Sequence, residues 1–182
     1  MIKYIFILYF ITFFTNSNAN NKDKIIENLN KTTNLNFQFE QNINGKIEYG
    51  NCTIEYPRKI FCEYSKSNNK ILVSNGKSLV IKTRTSYYRY PLKKTQLNLI
   101  LDKNFLIDKI YSLKEKIVDN SYINYIIIDK NSEISVFFDN KTFNLIGWQT
   151  KDIYQNINIT FLSSIRINQI INKNLFILPS QY

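Results

Sequence analysis

Residues 50–65 read GNCTIEYPRKIFCEYS and hold both cysteines of the chain, Cys52 and Cys62, on either side of Pro57. With Tyr56-Pro57-Arg58 as the connection of a hairpin, Glu55 faces Lys59, Ile54 faces Ile60, Thr53 faces Phe61 and Cys52 faces Cys62. One face then carries Cys52, Ile54, Tyr56, Ile60, Cys62 and Tyr64, while Glu55 and Lys59 pair opposite charges on the other. Directly facing residues of an antiparallel pair have Cα atoms roughly 4.5–5.5 Å apart, within the roughly 4.4–6.8 Å that disulfides span. Three readings are open: a structural disulfide, two buried free thiols, or a reactive thiol.

The compartment bears on that choice. Residues 1–20 read MIKYIFILYFITFFTNSNAN, with one charge at Lys3, an apolar stretch from Tyr4 to Phe14, and a polar tail ending Ser17-Asn18-Ala19. This is the layout of a secretory signal peptide, 1–19, with cleavage expected after Ala19; the alternative is an uncleaved anchor. The apolar stretch falls short of the roughly 20 residues a membrane span requires. An oxidising destination favours the disulfide, worth about 2–3 kcal/mol for so short a loop. The rest, 20–182, has the length of a single domain with a real core.

The whole chain carries 24 Lys and Arg against 14 Asp and Glu. A basic balance of this size can draw a protein to nucleic acid or to anionic membranes. The basic residues look spread along the chain, however, and the wealth of Ile, Lys, Asn, Tyr and Phe fits an AT-rich coding sequence; we expect no nucleic-acid partner. Histidine is absent, removing the commonest general base and metal ligand. Two cysteines ten residues apart are neither a zinc site nor a redox C-x-x-C. No phosphate loop or nucleophile elbow is found. The expectation is a non-enzymatic protein without catalytic residues, metal or cofactor.

Period two runs through the middle of the chain. Phe37, Phe39, Gln41 and Ile43 alternate with polar neighbours, as do Ile47 and Tyr49, then Cys52, Ile54 and Tyr56, then Ile60, Cys62 and Tyr64. Such alternation marks strands with one apolar face. The apolar parity changes between Tyr49 and Cys52, so a β-bulge is expected at Gly50-Asn51. Lys70 to Ser74 and Ser78 to Thr83 flank Asn75-Gly76, a strong hairpin signal. Ile134, Val136 and Phe138 lead through Asp139-Asn140-Lys141 to Phe143, Leu145 and Trp148; Ile153, Ile157, Ile159 and Phe161 alternate again, and Lys116 to Asp129 is strand-like. Lys22 to Lys31 places Ile25, Ile26 and Leu29 on one helical stripe, and Thr95 to Tyr111 reads as helical with Asn104 as a cap. The fold class is mainly β, α+β: one strongly curved antiparallel sheet with two or three helices.

The order of these features resembles the periplasmic outer-membrane lipoprotein carriers, the LolA family. A short helix precedes NFQFEQNINGKIEYG, then CTIEYPRKIFCEYS, ILVSNGKSLVIKT and YYRYPLKKTQLNLILD; the end runs FNLIGWQTKD, INITFLSSIRIN and LFILP. The resemblance implies an incomplete β-barrel whose concave side is covered by a helical lid. It also implies a periplasmic chaperone that shields the acyl chains of lipoproteins. Its partners would be acylated lipoproteins, an ATP-driven releasing transporter in the inner membrane and an outer-membrane acceptor, and we expect a monomer. The alternative is a periplasmic lipid- or lipoprotein-binding sensor or carrier with different cargo on the same fold. Candidate acyl-binding residues are Phe37, Phe39, Ile47, Ile54, Ile60, Leu72, Leu79 and Ile81 of the sheet with Leu97, Ile100 and Leu101 of the lid. Relatives commonly carry an arginine just before the proline, bonded to the lid; here that position is Tyr56, and Arg58 follows the proline, so both are latch candidates.

Overall fold

The computed structural model describes residues 20–65, 68–130, 132–151 and 156–181; the export signal read from residues 1–19, and Ile153, lie outside them. Eleven strands are present: β1 (Asn34–Ile43), β2 (Lys46–Glu55), β3 (Lys59–Ser65), β4 (Ile71–Asn75), β5 (Ser78–Lys82), β6 (Tyr87–Pro91), β7 (Lys116–Val118), β8 (Tyr122–Asp129), β9 (Ser132–Asp139), β10 (Leu145–Lys151) and β11 (Ile157–Ile167). They form one sheet in the order β6-β5-β4-β3-β2-β1-β11-β10-β9-β8-β7. Every pairing is antiparallel, as short turns between successive strands require. The two end strands β6 and β7 do not pair, so the sheet curls without closing.

The helices lie in the chain where it crosses between the two edges, and at its start. Helix α1 (Asn21–Lys31) is capped by the Asn20 side chain, which accepts from the Asp23 N–H, and it buries Ile25 and Leu29. After β6 come a 3₁₀ turn (Leu92–Lys94), the short α2 (Leu97–Ile100) and α3 (Lys103–Ser112). The helical stretch expected from Thr95 to Tyr111, with a cap at Asn104, is thus in pieces. Asp102, not Asn104, is the cap: its carboxylate accepts from the Phe105 N–H at 3.2 Å, satisfying a donor that the first turn of α3 would otherwise leave unpaired. The strand-like stretch from Lys116 is divided as well, by a turn in which Asp119 and Asn120 take left-handed φ of 48° and 51°. Strand β6, Tyr-Tyr-Arg-Tyr-Pro, carries too little apolar alternation to be read as a strand from sequence.

The core fills the concave side. Phe37, Ile54, Ile60, Ile123, Tyr125, Ile134, Phe138 and Trp148 of the sheet pack with Ile25, Leu29, Ile100, Leu101, Leu106 and Ile110 of the helices. A smaller apolar group sits on the convex side. Val73 and Val80 are buried there, and a second 3₁₀ turn (Lys173–Phe176) contacts β3 and β4 and brings Phe176 in as a buried residue.

The bulge expected at Gly50-Asn51 is not formed. Strand β2 runs in unbroken register with β1 from Lys46 to Glu55 and with β3 from Tyr49 to Glu55. Its buried side is even-numbered throughout, Glu48, Gly50, Cys52 and Ile54, so Ile47 and Tyr49 face outward, 49% and 51% exposed. The apolar pattern misled because a carboxylate holds an inward position: Glu48 is 5% exposed and ion-paired to Lys70 and, at 3.2 Å, to Lys46. Gly50 is inward for a steric reason, since a Cβ there would stand 2.1 Å from the Glu63 carbonyl oxygen and 2.6 Å from Cε1 of Phe39. The sheet's register shifts instead on β10, where Leu145 faces Phe138 but Gly147 faces Phe137, and on β11, where Asn36 faces Arg166 but Gln38 faces Ser163. The extra residue of β11 bends that strand, with Ser164 at φ 51°. In the same strand Ile157 and Phe161 are exposed while Thr160 and Leu162 are buried, so this alternating run presents its apolar residues to the convex surface.

Candidate functional site

Between the concave sheet and α2 lies a cavity of about 720 Å³, inside the roughly 300–1,000 Å³ range of small-molecule sites. Its apolar wall is Phe39 (β1), Ile60 (β3), Leu72 (β4), Leu79 (β5), Leu97 and Ile100 (α2) and Trp148 (β10), with the Cys52–Cys62 pair set into it. The remaining wall is polar: Gln41, Tyr64, Lys94, Gln96, Ser132, Thr150, Lys151, Asn158 and Thr160. Period two places both kinds on one face, so the division is along the strands. In β1 the inward series passes from Phe37 and Phe39 to Gln41, and in β11 from Leu162 to Thr160 and Asn158.

Part of this polar band is hydrogen-bonded together. The Tyr64 hydroxyl donates to Gln41 Oε1 at 3.2 Å, and Gln41 Nε2 donates to Thr160 Oγ1 at 3.1 Å. The Lys70 ammonium lies 3.9 Å from the Tyr64 ring centroid. Burial, reinforced by the negative charge of Glu48, pushes the Tyr64 hydroxyl well above the ordinary phenol range, so it stays a neutral hydrogen-bond donor. The Asn158 Oδ1 atom is buried without a hydrogen-bond partner among the described residues. Among these residues no group of His, Cys, Asp and Glu is arranged to hold a metal ion.

Six candidate acyl-binding residues line the cavity: Phe39, Ile60, Leu72, Leu79, Leu97 and Ile100. Phe37, Ile54 and Leu101 belong to the neighbouring packed core, at 4%, 0% and 0% exposure, and the Phe37 ring meets Trp148 edge-on with centroids 6.3 Å apart. Ile81 stands opposite Leu72 on the same face but outside the lining. Ile47 is excluded, because it faces the convex surface. Cys52 and Cys62 face each other across β2 and β3 and are bonded, with Cα atoms 4.1 Å apart. Sequence reasoning missed Trp148 and the polar band, since an inward polar residue in a strand carries the same pattern as an outward one.

Three polar contacts hold the short segment over the cavity. Arg58, at a left-handed φ of 68°, donates its backbone N–H to the Leu101 carbonyl at 2.9 Å, and its guanidinium is ion-paired to Asp102 Oδ2. That carboxylate also caps α3, so one aspartate ties the hairpin turn to α3. At the other end of α2, Gln96 Nε2 donates to the Lys151 carbonyl of β10. Tyr56 makes no such contact: its hydroxyl is buried without a hydrogen-bond partner among the described residues, and burial pushes its pKa upward.

The model of the outer membrane lipoprotein carrier protein LolA family matches residues 30–178. The chain belongs to the LolA family. The family's fold is that of a lipoprotein- or lipid-binding carrier, and it implies a periplasmic protein. An uncharacterised conserved protein of Thermus thermophilus is similar in structure at a TM-score of 0.53 and 8% identity, over 88% of this chain and 93% of its own. A LolA-superfamily protein of Nitrosomonas europaea aligns at a TM-score of 0.43 and 8% identity, over 86% and 98%. An outer-membrane lipoprotein-sorting protein domain of Vibrio parahaemolyticus aligns at 0.46 and 9%, over 87% and 97%. No curated protein matches in sequence.

Proposed function

We propose that this LolA-family chain is a periplasmic chaperone that takes the acyl chains of lipoproteins into the cavity under α2 and carries them from the inner to the outer membrane. The carrying observation is the cavity itself: a wall of Phe39, Ile60, Leu72, Leu79, Leu97, Ile100 and Trp148 with a polar band at one side. Each CH₂ removed from water is worth about 0.8 kcal/mol, so an acyl chain needs such a wall to cross an aqueous space. The ester and amide groups near the head of a lipid find donors and acceptors in Gln41, Tyr64 and Thr160. The reading includes export directed by residues 1–19, delivery by an ATP-driven inner-membrane transporter, transfer to an outer-membrane acceptor, a monomeric state, and no enzymatic step.

Trp148 is the chain's single tryptophan and lines the cavity, which supplies an internal reporter. A fatty acid brominated along its chain is expected to quench Trp148 emission on binding; emission unchanged at saturating ligand would refute acyl occupancy of the cavity. Native mass spectrometry of protein taken from the periplasm then identifies the cargo. A bound triacylated lipoprotein is expected, whereas a phospholipid or glycolipid in its place would establish the alternative of a carrier or sensor with different cargo.

A further inference from the structure

The cations of the chain are not spread evenly along it, contrary to the expectation from composition. Between Ser65 and Leu101 there are eight Lys and Arg and no Asp or Glu, while the rest of the chain carries sixteen cations against fourteen anions. Lys66 lies outside the described residues and Lys70 is paired with Glu48. The other six, Lys77, Lys82, Arg84, Arg89, Lys93 and Lys94, have no carboxylate partner among the described residues. Lys77 lies in the turn before β5, and the other five belong to the β5–β6 hairpin or the 3₁₀ turn after it, at one open edge of the sheet.

That edge is also aromatic and continuous with the cavity. Cys62 faces Leu72, Leu72 faces Ile81, and Ile81 faces Tyr88, so one apolar row crosses from the cavity wall to the edge strand. Leu79 of the cavity wall likewise faces Tyr90. Tyr88 and Tyr90 are 53% and 44% exposed. Tyrosine beside Lys and Arg is the composition of a membrane–water interface, and clustered cations attract an anionic lipid surface.

We infer that the β5–β6 edge docks on an anionic bilayer, so that an acyl chain passes along the Leu72–Ile81–Tyr88 row between cavity and membrane. A second copy of the chain is disfavoured at this edge, because two cationic edges repel. The contact stays at headgroup depth: the outward backbone groups of an edge strand cannot be satisfied in hydrocarbon, whereas phosphates and water satisfy them. The inference goes beyond the carrier reading, since docking and acyl uptake are separate events.

Purified protein is sedimented with vesicles of phosphatidylglycerol and phosphatidylethanolamine, or of phosphatidylcholine alone. Binding is expected to the anionic vesicles only and to weaken as salt rises through the screening range. The variant R84E/R89E/K93E changes residues outside the cavity wall and is expected to lose on the order of 100-fold in partitioning, while quenching of Trp148 by the brominated fatty acid is unchanged. Equal binding to phosphatidylcholine, absence of binding to anionic vesicles, or binding untouched by the variant would each overturn the inference. So would a patch that captures an acidic peptide but no vesicle. If the variant does not fold, the salt dependence of the unaltered protein decides. Quenching without docking refutes this inference alone, and docking without quenching refutes the carrier reading alone.

Discussion

Glu48 shows how one residue can invert the reading of a strand. It is 5% exposed, and burial works against its charge, but hydrogen bonds from Lys70 and then Lys46 outweigh that and hold its carboxyl below the usual range. A depressed folded-state pKa stabilises the fold above the unfolded value of about 4.3 and ceases to do so as pH falls through the folded value. Glu48→Gln is therefore expected to lower the urea midpoint at pH 7, with the two proteins converging as pH falls below about 4; a gap of constant size down to pH 3 would contradict the assignment. Gly50 acts through space. The Cβ of Gly50→Ala would collide with the Glu63 carbonyl and the Phe39 ring, so a loss of about 1–3 kcal/mol is expected on denaturation, together with weaker acyl quenching, because Phe39 lines the cavity. Stability and quenching both at the unaltered level would show that the strands part freely at this point.

At the scale of elements, the decisive piece is α2, four residues long and too short to stand alone. It is kept over the cavity by its buried Ile100, by the Gln96–Lys151 contact, and by Arg58 with Asp102. If the Arg58 pair restrains this segment, Arg58→Leu should change the rate at which a loaded brominated fatty acid leaves, read from recovery of Trp148 emission; release at the unaltered rate would remove Arg58 from any gating role. The strand–turn–strand of residues 50–65 was readable in advance because alternation, a proline turn and opposed charges agree there. The arrangement of the helices was not, because the Asp102 carboxylate that caps α3 is also held by Arg58, forty-four residues earlier in the sequence. Strand β6 and the polar band were hidden for one shared reason: inward or edge position belongs to the sheet, while local composition reports only polarity.

For the whole molecule, the curled sheet follows from many short antiparallel strands, and the family match over residues 30–178 accords with it. What local pattern could not rank was the two ends of the sheet. Strand β7 has three residues and begins with Lys116, whereas β6 has five and carries exposed tyrosines. The first is blunted against unwanted pairing in the manner expected of an edge; the second is the broader edge, and the cationic segment lies there.

Leaving β6 and β7 unpaired has a mechanical result. A closed barrel has a circumference set by its strand number and stagger, but this sheet has no such constraint, and a change of curl moves its edges apart without breaking a rung of the ladder. The load it can admit is then governed by the parts that bridge the gap, α2 and the contacts at its two ends. The 720 Å³ is the volume of the girdled sheet, and a larger volume would require slackening the girdle rather than rebuilding the wall.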